Sequence, residues 1–248
     1  MASTRNADGK KKRLVGLDVF RGWAIVMMII FHFAYDLAFF RMVDFSVVHD
    51  PFWVYFRYVI VSIFLVSVGV SLGIVHTPRI RWDKVRRRAM ILGGASVVVT
   101  VATYIQAPHA WVFFGILHLI FVASFVGLLF VRVPRLALLA AGLILWGSYT
   151  GWLTGLQHQF FLAVYHPLHL PHRTEDLARF FPWMAAVLIG IGAYGTGWYR
   201  PFFSTPFLAA QTRANTVLAF LGRHALVIYL IHLPLLFGIV MGIDMLRR

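Results

Sequence analysis

His32 and Asp36 stand four residues apart in an apolar run, a spacing that puts both on one face of a helix. A carboxylate there can accept the Nδ1–H of the imidazole, fix its tautomer and leave Nε2 as a base. The same two residues also read as a structural His–Asp pair satisfied inside a bundle. His118 and His232 fall in other apolar runs. At about 1.5 Å rise per residue, His32, His118 and His232 lie roughly 12, 10 and 15 Å from the outer ends of their runs. All three thus sit at similar levels in the outer half of a bilayer. Taken singly, His118 and His232 read equally as neutral histidines at helix contacts.

A second set of residues lies at the opposite ends of these runs. Asp18 and Arg21 are three residues apart on the first turn, the spacing of a helical ion pair. Arg223 and His224 follow Gly222, and the stretch from Arg79 to Arg88 is densely basic. Guanidinium and imidazolium groups suit the phosphates of an anionic cofactor. The excess of basic residues at cytoplasmic membrane edges also accounts for the basic stretch without a ligand. His166, His169 and His172, separated by Pro167 and Pro171, would line one edge of a polyproline II segment. Substrate contacts or an interfacial position are expected of them, and no metal site is assigned.

The elements that must carry these groups follow from composition. Of 248 residues, 60% are hydrophobic and 13% charged, with a mean hydropathy of +0.78. Soluble domains carry about 45–50% apolar and about 25% charged residues. The contrast excludes an ordinary soluble enzyme, a disordered chain and a nucleic-acid-binding module. The absence of cysteine excludes disulfides and thiolate chemistry. Runs of the roughly 17–25 residues needed to cross a bilayer occur at 17–40, 52–75, 89–107, 111–131, 136–154, 182–199 and 217–242. They predict an all-α transmembrane bundle of about seven spans in one domain, 1–248, with a basic tail over 1–13 and an external loop over 155–181. The first run contains Asp18, Arg21, His32 and Asp36 and lacks a small-residue cleavage site, so it reads as a retained helix and not a signal peptide.

Two glycine patterns need a physical reading. Gly190-Ile-Gly192-Ala-Tyr-Gly195 spells the dinucleotide fingerprint, but that motif works only at a strand-to-helix turn, and here it lies within an apolar span. The pairs Gly69–Gly73, Gly147–Gly151 and Gly238–Gly242 have the spacing that lets helices approach closely.

The first helix, from Arg13 through Asp18-Val-Phe-Arg21-Gly22 to Phe31-His32-Phe33-Ala34-Tyr35-Asp36, resembles a bacterial membrane family. That family is related to the catalytic domain of heparan-α-glucosaminide N-acetyltransferase. Matching stretches are Phe64–Leu72, Gly115-Ile-Leu-His118, Phe181-Pro182-Trp183 and Leu221-Gly222-Arg223-His224 through Tyr229 and His232 to Pro234. The resemblance implies transfer of an acetyl or other acyl group from cytoplasmic acyl-CoA, with acetyl-CoA the expected donor, to an extracytoplasmic sugar amine or hydroxyl. Relatives in lysosomes carry Asn at the position of His32 and their proposed active histidine in the following outer loop, where His49 is the nearest counterpart. His32 and His49 therefore both stand as candidates for the base. His32 is favoured because Asp36 is local and its depth suits a long cofactor arm.

In this reading His32, oriented by Asp36, acts on the acceptor or carries the acyl group. His118 and His232 shape the oxyanion or acceptor region, while Asp18, Arg21, Arg223 and His224, with the basic stretch from Arg79 to Arg88, hold the cofactor end. Expected partners are the lipid bilayer of a bacterial inner membrane, acyl-CoA and a glycan or small-molecule acceptor, without nucleic acid; a homo-oligomer is compatible with the sequence. The alternative is a proton-coupled transporter or flippase using the same buried groups. Orientation follows from charge: with the N-terminus inside, 17 of the 23 Lys and Arg residues and 3 of the 9 acids face the cytoplasm. Reporter fusions at Ile80 and Tyr165 should therefore read cytoplasm and exterior respectively, and the reverse pattern would overturn the orientation.

Overall fold

The computed structural model describes residues 14–165, 167, 168, 170, 171, 174 and 176–247. The basic tail and His166, His169 and His172 lie outside the described residues. Every regular element among those described is helical: α1 (Val15–Phe39), α2 (Pro51–His76), α3 (Trp82–Gln106), α4 (Ile116–Phe130), α5 (Pro134–Tyr149), α6 (Trp152–Tyr165), α7 (Phe180–Thr196), the short α8 (Tyr199–Phe203) and α9 (Pro206–Ala209), α10 (Arg213–Arg223) and α11 (Ala225–Arg247). They form two compact units, one from residues up to Ile63 together with Arg200–Arg248, the other from Phe64–Tyr199.

Four helices, α1, α2, α3 and α11, are long and apolar enough to cross a membrane, and α5 with α6 makes a fifth if the bent pair is one span. The expected count of about seven is not confirmed, since α4 and α7 have only 15 and 17 residues. At about 1.5 Å per residue these reach roughly 22–26 Å, short of a hydrocarbon core of about 30 Å. Two boundaries also differ from the sequence reading. The last run divides at His224, which ends α10 before α11 begins. Residues 155–165, expected to open a loop, are helical, and α6 leaves α5 at 79° through Gly151, whose φ of +81° favours glycine.

Local chemistry explains the helix starts. Asp50 Oδ1 accepts the Phe52 N–H at 2.9 Å, an N-cap ahead of Pro51, whose missing N–H costs nothing in the first turn. Thr212 caps α10 by accepting from the Asn215 N–H at 3.1 Å, and Asn215 in turn donates to the carbonyls of Phe207 and Ala210. The start of α4 is capped from far along the chain: Asp176 Oδ2 accepts the Ile116 N–H at 3.1 Å.

In the first unit, α1 packs on α10 backbone to backbone. A Cβ on Gly22 would collide with the Leu218 carbonyl, and one on Gly222 with the Asp18 carbonyl. In the second unit Gly69 and Gly190 bring α2 and α7 together in the same way. The glycines of the apparent nucleotide fingerprint thus sit inside α7 as packing positions. Gly238 and Gly242, in contrast, have open space beside them, so that pair makes no helix contact here. Overpacking a close contact typically costs about 1–3 kcal/mol or more. Gly222→Leu should accordingly lower the thermal midpoint of the purified protein sharply, whereas Gly238→Leu should leave it nearly unchanged. Equal midpoints would remove the crossing from the account of stability.

Candidate active site

The first unit holds most of the candidate residues. His32 and His232, on α1 and α11, bring their rings to 4.9 Å between centroids at 66°. Phe31 stands edge-on to His32 at 5.4 Å and packs on Trp53 at 6.2 Å, so aromatic rings border the pair. His232 is 4% exposed. Its Nδ1 lies 2.7 Å from the Tyr229 carbonyl oxygen. A carbonyl can only accept, so Nδ1 carries the proton and donates. In the neutral ring Nε2 is then the bare, basic nitrogen, and this atom is buried with no hydrogen-bond partner.

Asp36 is also buried, and its Oδ2 has no partner. The hydrogen bond expected between Asp36 and His32 is not formed among the described residues. The spacing puts both on one face of α1, but the His32 ring packs against His232 across the helix contact, and Asp36 Oδ2 is left without a partner. Buried polar groups are nearly always satisfied, so a cluster that is not asks for a functional reason.

His118 belongs to the second unit and behaves differently. Its Nδ1 accepts the Gly115 N–H at 3.3 Å, and its Nε2 lies 3.2 Å from Thr100 Oγ1. Thr100 spends its single proton on the Val112 carbonyl at 2.8 Å, so His118 Nε2–H must be the donor to Thr100. Both ring nitrogens are committed to holding α3 and the turn before α4. His49 is exposed, and its Nδ1 lies 3.1 Å from Ser46 Oγ.

At the other end of α1, Asp18 is buried and pairs with Arg21 at 3.5 Å. Arg223 donates Nε–H to the Ala219 carbonyl at 3.0 Å. His224 is exposed, with Nδ1 2.9 Å from the Phe220 carbonyl. The Gly22–Gly222 crossing seats Arg21 and Arg223 next in sequence to the two contact points. Two guanidiniums and an imidazole are a donor set that fits phosphate. Among the described residues no group of three or more His, Cys, Asp or Glu side chains could hold a metal ion.

The model of the family described as heparan-alpha-glucosaminide N-acetyltransferase, catalytic, matches residues 13–234. The chain belongs to that family. Membership implies acyltransferase activity, and with the long apolar helices it makes the protein a multi-pass membrane protein. No curated protein and no solved structure matches the chain.

Sequence reasoning missed two parts of this arrangement: the Tyr229 carbonyl that sets the His232 tautomer, and the Phe31 and Trp53 rings. The spacing of Tyr229 and His232, three residues apart just before Pro234, was the available signal for the first. The hydrogen bonds of His118 make a separate prediction. Breaking a buried hydrogen bond costs about 1–3 kcal/mol, so His118→Ala and Thr100→Val should each lower stability. The double variant should be less destabilised than their sum. Strict additivity in thermal unfolding would show that the bond contributes nothing.

Proposed function

We propose that the protein transfers an acetyl group from acetyl-CoA on the cytoplasmic side of a bacterial inner membrane to an amine or hydroxyl of a glycan or small molecule on the other side. The single observation that carries the assignment of chemistry to the first unit is the His32–His232 ring pair, with His232 buried and its Nε2 bare and unpartnered. Family membership supports the reaction class; the bias of Lys and Arg supports the orientation.

The acceptor's N–H or O–H gives its proton to His232 Nε2 as its heteroatom attacks the thioester carbonyl carbon. The C–S bond breaks, the acyl group stays on the acceptor, and the departing thiolate takes the proton back from the His232 imidazolium. Bound acetyl-CoA supplies the activated carbonyl. The Nδ1–H bond to Tyr229 holds the ring in the tautomer that can accept, and charge on the protonated ring is shared with that carbonyl. His32, in ring contact, limits where the acceptor can sit and offers a second imidazole for relay. Asp36, without a bond to His32, is a buried carboxyl one turn further along α1 that borders the same region. Arg21, Arg223 and His224 hold the phosphates of the donor, while Asp18 positions Arg21. His118 serves as a brace and takes no proton.

General-base catalysis is worth about 10²–10⁴-fold. His232→Ala and His32→Ala should each lose acetyl transfer within that range in vesicles while still binding acetyl-CoA. Arg223→Ala should weaken acetyl-CoA binding. His49→Ala should retain most turnover. If His49→Ala abolishes transfer and both buried variants keep it, the pair is structural and the base lies in the loop.

A further inference from the structure

The second unit carries a cleft that the reaction does not use. It is an open groove of about 260 Å³ on α3, lined by Lys84, Arg87, Arg88, Ile91 and Leu92. Arg88 and Leu92 also border a tighter gap of about 10 Å³ between α2, α3 and α4, with Phe121, Phe125 and Leu128 as its apolar wall and His76 among its lining. The groove is basic at one end and apolar at the other.

The polar end is built. Arg88 is half-buried, and its Nε–H donates to Ser124 Oγ at 3.2 Å, while the Ser124 hydroxyl donates to the Ile120 carbonyl at 2.6 Å. This fixes the plane of the guanidinium at the α3–α4 contact. His76 is 2% exposed, and its Nδ1 accepts the Arg81 N–H at 3.2 Å. A backbone N–H only donates, so the ring proton of neutral His76 is on Nε2, a second donor. Arg86 and Arg87 are exposed. The acid here is Asp83, which pairs with Arg81 at 3.5 Å and with Lys84 at 4.0 Å.

The surroundings set the depth. Trp82 is 69% exposed at the start of α3, the position of an aromatic residue at a membrane interface. Beyond it α3 exposes Ile91, Val98, Val101 and Ile105, a continuous apolar face suited to acyl chains. Lys84, Arg87 and Arg88 follow Trp82 within two turns, at headgroup level.

We propose that this groove binds an anionic phospholipid, with its phosphate on Arg88, Arg87 and Lys84, one acyl chain over Ile91 and Leu92, and the other on the open face of α3. Charge complementarity and the Trp82 level favour a lipid of the surrounding leaflet as the occupant. Guanidinium–phosphate pairing supplies the headgroup contact, and basic pockets between membrane helices hold anionic headgroups for the same reason.

The test uses the full-length protein in detergent, titrated with phosphatidylglycerol or phosphatidylcholine and read by native mass spectrometry. Phosphatidylglycerol adducts should survive mild activation and phosphatidylcholine adducts should not. Arg88→Gln should weaken the anionic adduct about tenfold. Arg87→Gln, on the exposed surface and harmless to folding, should weaken it about fivefold. Leu92→Trp should fill the cleft and abolish tight binding. Equal retention of the two lipids, or an Arg87→Gln protein that binds as the parent does, would overturn the proposal. Displacement of the lipid by inorganic phosphate or coenzyme A would overturn it too, showing a soluble phosphate site instead.

Discussion

Apolar helices in lipid gain nothing by hiding apolar side chains from each other, since the acyl chains are as apolar as leucine. What holds them is close approach of their backbones. In the first unit that approach is the crossing of Gly22 and Gly222; in the second it is the meeting of Gly69 and Gly190. Each removes a Cβ where a neighbour's carbonyl must fit. The candidate residues depend on the first of these contacts. Gly22 and Gly222 fix α1 against α10, and α11 starts directly after His224, which brings His232 over His32.

Three histidines, His118 half-buried and His76 and His232 buried, show how environment divides one residue type into different tasks. His118 has a donor on one nitrogen and an acceptor on the other, so protonation would break a bond that holds the fold. His76 accepts a backbone N–H and faces a cleft edged by basic residues. His232 gives its proton to a backbone carbonyl and leaves a bare nitrogen in an apolar surround. Of the three, only His232 among the described residues keeps a buried, unpartnered lone pair.

The sequence made the helical class, the family and the candidate histidines legible, because apolar run length and the Asp18-Val-Phe-Arg21-Gly22 start are local signals. The ring contact of His32 with His232 was visible only as a match in depth, since lateral position depends on which helices pack together. The span count is not confirmed at α4 and α7, where apolar sequence continues beyond the helix ends and conceals how short the helices are. The His32–Asp36 bond failed because spacing fixes a face but not the direction in which two side chains lean. Gly238 and Gly242 matched a packing pattern that has no neighbour to pack against, while Gly151 serves a bend instead of a contact.

That bend changes the kind of surface the chain presents. A helix that leaves its predecessor at 79° runs almost across the direction the predecessor follows. If α5 stands along the bilayer normal, α6 lies nearly parallel to the membrane plane. Its 14 residues carry no Asp, Glu, Lys or Arg and expose Trp152, Leu156 and Phe160 at four-residue intervals on one side. The bend at Gly151 thus turns an aromatic edge sideways from the axis of α5, where a straight continuation would have carried it further along that axis.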